Sequence, residues 1–268
     1  MKHDQHSNAH PFSRPPLRWP SQLLLVRHGE SAGNVALDAA HAAGLSRIDI
    51  AHRDADVPLS ARGEEQSTAL GRWLAERPEA ERPEIVLCSP FKRARETAGL
   101  IRAAGGLAAE APPFIIDERL REREFGILDR LTTAGIKEFF PEQAAFRELL
   151  GKFYHRPPGG ESWCDVILRL RSAVDTLSLH HAGRRVLIVS HEVVVLCLRY
   201  LLEELDEERI LAIDREGDVA NCAVTEYRLR DQGARGGALV LQRFNETAPL
   251  RQQGVSVTTA PDMAVAAK

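Results

Sequence analysis

The sequence predicts a three-layer α/β sandwich with a largely parallel central sheet, helices on both faces and a helical insertion over the site. Three observations carry that expectation. Short apolar runs at Leu23–Val26, Ile85–Cys88 and Val186–Val189 have the length and composition of strands buried on both faces. Segments with apolar residues at helical spacing lie between them. The chain of 268 residues, 44% of them hydrophobic, is long enough to bury a full core without disulfide or metal staples. Strands alternating with helices over such a length favour a parallel sheet.

Taken in order, residues 1–20 form a tail rich in His, Pro, Ser and Arg and lack the apolar stretch of a signal peptide. Disorder is expected there, with His3, His6 and His10 solvated. The folded domain is expected over 21–248. Its first strand, Leu23–Val26, closes on Arg27-His28-Gly29. A helix over 61–77 carries Leu70, Trp73 and Leu74 behind a Ser60 cap, and Ile85–Cys88 is the second strand. Ser89-Pro90 then reads as an N-cap with proline at the first helical position, which predicts a helix from Pro90 to about Ala103.

Phe114–Ile116 is a short strand, and the Arg/Glu-rich stretch from Asp117 to Gly126 is too polar for a core element and reads as a loop. Residues 129–160 form the insertion, with helical pieces broken at Pro141 and Phe139, Phe140, Phe146, Leu149 and Leu150 as their apolar side. After the turn Pro157-Pro158-Gly159-Gly160, Ser162 and Asp165 make a capping box for a helix ending before Gly183. Val186–Val189 leads through Ser190-His191 into a helix over 193–202, and Asn221–Leu229 with Ala238–Phe244 predicts a terminal hairpin. From Pro249 the chain turns small and polar, so 249–268 is expected to be a frayed tail.

Composition excludes several classes. A formal charge of −3 and no basic block disfavour nucleic acid as a partner. No apolar run approaches the ~20 residues of a membrane span. Cys88, Cys164, Cys197 and Cys222 form no CxxC pair and no zinc spacing, which fits a reducing, cytoplasmic compartment. Oligomeric state has no signature.

In an open α/β sheet, ligands collect beyond the carboxyl ends of the strands. Three junctions deliver unusual residues to that edge: Arg27 and His28 after the first strand, Arg93 on the helix after the second, His191 after the later one. Two guanidiniums, two imidazoles and a helix N-terminus share one obvious task, holding a phosphate-like group. Asn34 offers a further donor.

Together these segments resemble the histidine phosphatase superfamily, which includes phosphoglycerate mutases and many phosphatases. The residues that carry the resemblance are Arg27-His28-Gly29-Glu30-Ser31 with Asn34, Pro58-Leu59-Ser60-Ala61-Arg62-Gly63 with Gln66, and Ser89 to Ala98. Leu120-Arg121-Glu122 with Gly126, Gly160-Glu161-Ser162, Val189-Ser190-His191 and Asn245-Glu246-Thr247 complete it. The resemblance implies that His28 is the nucleophile that becomes phosphohistidine, that Arg27 and Arg93 clamp phosphate oxygens, and that His191 donates to the phosphoryl group. Glu122 occupies the position of the acid that protonates the leaving oxygen. It implies no cofactor and no metal ion, since guanidiniums and imidazoles neutralise the charge.

Other phosphatase chemistries fit poorly. Cys88 to Arg93 is one residue short of a Cys-x5-Arg loop, and Cys222 to Arg228 has no glycine to expose amides and reads as strand. Asp54 and Asp56 imitate a nucleophilic aspartate pair, yet follow a poor strand and read as a polar loop bordering the pocket. No phosphate-binding glycine loop is present.

Two positions depart from the resembled pattern. His191 is followed by Glu192 rather than glycine, and the insertion carries Arg156 alone where the mutases have an arginine pair. Hydrolysis of a small phosphomonoester is therefore the expected activity, with Arg27, Asn34, Arg93, His191 and Arg156 as substrate-binding residues. A phosphoglycerate-type mutase is the alternative, and a non-catalytic phospholigand-binding protein the third reading. Arg119, Arg121, Arg123, Lys137 and Arg156 would suit a second anionic group on the substrate.

Overall fold

The computed structural model describes residues 18–107, 114–230 and 237–259. The expected N-terminal tail, apart from residues 18–20, and the last residues of the C-terminal one lie outside them. Six strands form one sheet in the order β3-β2-β4-β1-β5-β6. β1 (Gln22–Arg27), β2 (Ile85–Cys88), β3 (Phe114–Ile116) and β4 (Arg185–Ser190) run parallel, while β5 (Val224–Arg230) and β6 (Ala238–Glu246) form an antiparallel hairpin against β1.

β1, β2 and β4 carry unbroken apolar runs because both of their faces are covered. Successive side chains of a strand point to opposite faces. Leu23, Leu25, Ile85, Leu87, Val186 and Ile188 accordingly join the core beneath α6 (Trp163–His180) and α7 (Glu192–Leu202). Leu24, Val26, Val86, Cys88, Leu187 and Val189 join the core beneath α2 (Ala61–Glu76) and α3 (Lys92–Ala104). This is the expected three-layer α/β sandwich.

Besides the short helix in the C-terminal segment, two helices escaped the sequence reading. α1 (Ala32–Ala42) starts at a Ser31/Asn34 capping box, and α8 (Glu207–Glu216) is capped by Asp206. The insertion contains α4 (Thr133–Phe139) and α5 (Pro141–Tyr154), with Pro141 at the start of the second as its fixed φ favours.

Four expectations need correction. α3 begins at Lys92, two residues late, because Phe91 is extended and donates its N–H to Ser89 Oγ (3.2 Å) instead of entering the helix. The apolar side of the insertion is not its buried side: Phe139, Phe146, Leu149 and Leu150 are exposed, and Phe153 enters the core in their place. The polar stretch after Asp117 is the expected loop but is not too polar for the core, since Leu120, Glu122 and Arg123 are almost wholly buried. The segment from Pro249 is docked through residue 258. α9 (Ala248–Gln252) buries Leu250, and Val255 and Val257 pack on the core beside α2 and α3.

Candidate active site

β1, β2 and β4 end together, and hydrogen bonds tie their exits to one another. His28 N donates to Ser190 O (2.9 Å), and Ser89 N donates to Val189 O (3.0 Å). The turn after β1 is pressed against the start of α2. A Cβ on Gly29 would lie 2.5 Å from Gly63 O, and one on Gly63 would run into the Glu30 carbonyl, so both motif glycines are required by backbone contact.

His28 is fully buried, and its tautomer follows from its partners. Nδ1 lies 2.6 Å from Gly29 O, which can only accept, so Nδ1 carries the proton. The lone pair is left on Nε2, where Arg93 Nε donates at 3.2 Å. Asn221 Nδ2 donates to the His28 carbonyl (3.0 Å) and fixes the backbone behind the ring.

His191 stands edge-on to His28, with ring centroids 5.2 Å apart. Its Nε2 is 2.8 Å from Ser89 Oγ, and Phe91 packs on its ring at 5.2 Å. Glu122 Oε2 lies 3.8 Å from His191 Nδ1. Glu122 Oε1 accepts from Arg123 N (2.7 Å), and Arg169 Nη2 holds its carbonyl (3.2 Å). Glu161 ties this loop down, accepting from Arg121 (2.6 Å), from Arg169 (2.9 Å) and from Glu124 N (3.1 Å). Gly126 turns the chain at φ 56°, where an added Cβ would meet the Pro158 carbonyl.

Both guanidiniums already carry a carboxylate. Arg27 Nη1 donates to Val219 O (2.5 Å) and lies 3.7 Å from Glu192 Oε2, while Glu192 Oε1 accepts from Val219 N (3.2 Å). Glu192 therefore turns to Arg27 and to the Val219 amide. The motif residue Asn245 supports that loop, accepting from Ala220 N (2.8 Å) and donating to Asp218 O (3.0 Å). Arg93 Nη1 donates to Asp54 O (2.7 Å) and Oδ1 (2.9 Å). Two neighbouring carboxyls, Glu124 and Asp129, are held above their ordinary range, first by burial and then by the charge of Asp54.

The structure thus brings Arg27, His28, Arg93, Glu122 and His191 into one buried cluster. Asn34 is buried beside it, and its Oδ1 accepts from Ser31 N (2.8 Å) and Ser31 Oγ (2.9 Å) in the cap of α1. Arg156 does not join them: it is largely exposed and pairs with Asp165 at 3.1 Å, because the Ser162 cap draws that carboxylate to the turn below it. The cations considered for a second anionic group are also engaged elsewhere. Arg119 is held by Asp117, Arg121 by Glu161, and Arg123 by the carbonyls of Glu161 and His155. Lys137 lines a separate cavity of about 350 Å³ beneath the insertion, together with Arg147, Lys152 and Leu211.

Sequence reasoning missed the parts played by Asp54, Ser89 and Asn221. Ser89 reads as a cap, and nothing local shows its hydroxyl turned to His191. Asp54 sits in a loop without periodicity, so only its carboxylate in a polar stretch signalled the border of a pocket.

A strand-end cluster with an unprotonated imidazole nitrogen against a guanidinium, a second buried guanidinium, a second imidazole and a buried acid has the groups that phosphoryl transfer needs. The chain belongs to the histidine phosphatase superfamily (branch 1), whose sequence profile matches residues 23–246. It is 28% identical over 231 residues to the probable phosphoglycerate mutase GpmB of Yersinia enterocolitica, covering 85% of this chain and 94% of that protein. It is 30% identical to human 6-phosphofructo-2-kinase/fructose-2,6-bisphosphatase 3, covering 86% of this chain and 42% of that protein. Among solved structures, mycobacterial glucosyl-3-phosphoglycerate phosphatase superposes with a TM-score of 0.64 at 27% identity, over 85% of this chain and 99% of that one.

Proposed function

We propose that this protein is a cytoplasmic phosphomonoester hydrolase that acts on a small phosphorylated molecule, without a metal ion, through a phosphohistidine on His28. The observation that carries the reading is the 2.6 Å approach of His28 Nδ1 to Gly29 O, which calls for the proton on Nδ1 and leaves Nε2 as a nucleophile on the side of Arg93. No helix of the described residues is long and apolar enough to cross a membrane. None of the four cysteines is in a disulfide, which supports a reducing compartment.

In the first step His28 Nε2 forms a bond to phosphorus as the P–O bond to the leaving group breaks. Arg27, Arg93 and His191 hold the non-bridging oxygens as negative charge shifts onto them. The departing oxygen takes a proton from Glu122. In the second step the Glu122 carboxylate takes a proton from water, whose oxygen attacks phosphorus. The P–N bond breaks, phosphate leaves, and His28 returns to its starting tautomer.

Hydrolysis is preferred to mutase chemistry because each clamping arginine has a carboxylate against it and Arg156 pairs with Asp165. A mutase must retain an anionic intermediate against water. The name of the Yersinia relative supports the mutase alternative. Incubation with an aryl phosphate in excess chelator decides the main point: turnover with acid-labile phosphate on the protein is expected, and His28→Ala loses about 10³-fold or more in rate and all of the labile phosphate. Activity that disappears with chelator yet survives His28→Ala overturns the reading. Interconversion of 2- and 3-phosphoglycerate faster than phosphate release, dependent on a bisphosphoglycerate primer, makes the protein a mutase. Phosphate binding without transfer makes it a phospholigand-binding protein.

A further inference from the structure

The two clamping arginines are neutralised in different ways. Glu192, opposite Arg27, begins α7, is 7% exposed and is fixed by Val219 N. Asp54, opposite Arg93, lies on the single 3₁₀ turn Asp54–Asp56, whose flanking Arg53 and Asp56 side chains are 77% and 51% exposed. Arg93 itself is on α3, whose Ala94, Ala98 and Ile101 are completely buried. Within the pair the Arg93 side chain is 2% exposed and that of Asp54 24%.

A guanidinium nitrogen Nη has two hydrogens. Both of those on Arg93 Nη1 point at Asp54, to its carbonyl at 2.7 Å and to Oδ1 at 2.9 Å, while Nη2 reaches Oδ2 at 3.5 Å. The third nitrogen, Nε, donates to His28 Nε2. Two carboxylate oxygens across a guanidinium fork occupy the positions that two oxygens of a phosphate take. The same fork cannot serve Asp54 and a phosphoryl group in full at once. Since Arg93 is fixed on the buried face of α3 and Asp54 is the more exposed of the two, Asp54 is the partner that yields.

We propose that Asp54 is a displaceable counter-ion of Arg93, which competes with the phosphoryl group for this guanidinium and sets how tightly the site holds phosphate. The inference rests on the phosphoryl-transfer reading above. Its consequence for turnover lies in the last step: when the product is inorganic phosphate, with no leaving group to add contacts, the returning carboxylate favours its departure.

The test measures inorganic phosphate against the wild type, Asp54→Asn and Asp54→Ala, by calorimetry and as a competitive inhibitor of aryl phosphate hydrolysis. Asp54→Asn keeps an oxygen for Arg93 and removes the charge. Both variants are expected to bind phosphate about five- to tenfold more tightly, with the KM for the aryl phosphate falling in parallel. Thermal melts check that both are folded. Unchanged or weaker phosphate binding in folded Asp54→Asn overturns the proposal and makes Asp54 a structural prop for Arg93. If that happens while the wild type still turns over through His28, only this inference falls. If wild type and variants neither bind phosphate nor form labile phosphate, the phosphoryl site falls with it.

Discussion

In the proposed mechanism the choice of ring nitrogen at His28 decides the chemistry, and the Gly29 carbonyl makes that choice. The acid side is arranged with comparable economy, because Glu122 Oε1 is taken by Arg123 N and Oε2 faces His191. In the proposed mechanism Glu122 is needed in proportion to how poor the leaving group is. Glu122→Gln is expected to slow hydrolysis of an alkyl phosphate by about 10²–10³-fold and that of p-nitrophenyl phosphate by about tenfold or less, since a nitrophenolate departs without a proton. Equal losses on both substrates would remove Glu122 from the role of acid. Arg27, His28, Arg93 and His191 were legible because each sits at the exit of a strand that an apolar run announces. Asp54 and Glu192 were not. Their meaning lies in which arginine they face, and that is fixed by how distant loops fold back.

Among the elements, the sheet was readable for the same reason that it is stable. Strands covered on both faces leave uninterrupted apolar runs, and the alternate residues of each run fill two separate cores. The insertion and the C-terminal segment were harder, because they bury single residues rather than a stripe. Phe153 enters the core from α5 while its apolar neighbours remain exposed. Leu250 does the same from α9, a helix too short to carry a periodic signal. Leu250→Ala is expected to lower the unfolding free energy by about 2–5 kcal/mol in urea titration, as for other large-to-small changes in a core. A frayed end would show no change.

Across the whole molecule, the cysteines report on the integrity of both layers. Cys88, Cys197 and Cys222 are buried, and burial pushes each thiol upward from its ordinary value near 9, that of Cys222 to about 12. A pKa raised in the folded state means that the native protein holds a proton the unfolded chain gives up. The associated stability is full below pH 9 and is lost as the pH rises toward 12. Thermal midpoints measured from pH 8 to 11 should fall, and Cys222→Ala should make the fall shallower. A variant with the wild-type slope would show that other groups dominate alkaline unfolding.

Thr258 Oγ1 donates to Asn221 Oδ1 (2.9 Å), Asn221 Nδ2 holds the His28 carbonyl, and Gln66 Nε2 reaches Ser256 O (3.0 Å) while its Oε1 accepts from Glu30 N (2.9 Å). The segment 256–258 is thereby wired to the backbone around His28 through two amide side chains. Purification tags, fusions or proteolytic cuts placed just before Ser256 would act as active-site lesions, although they would lie some two hundred positions away along the polypeptide.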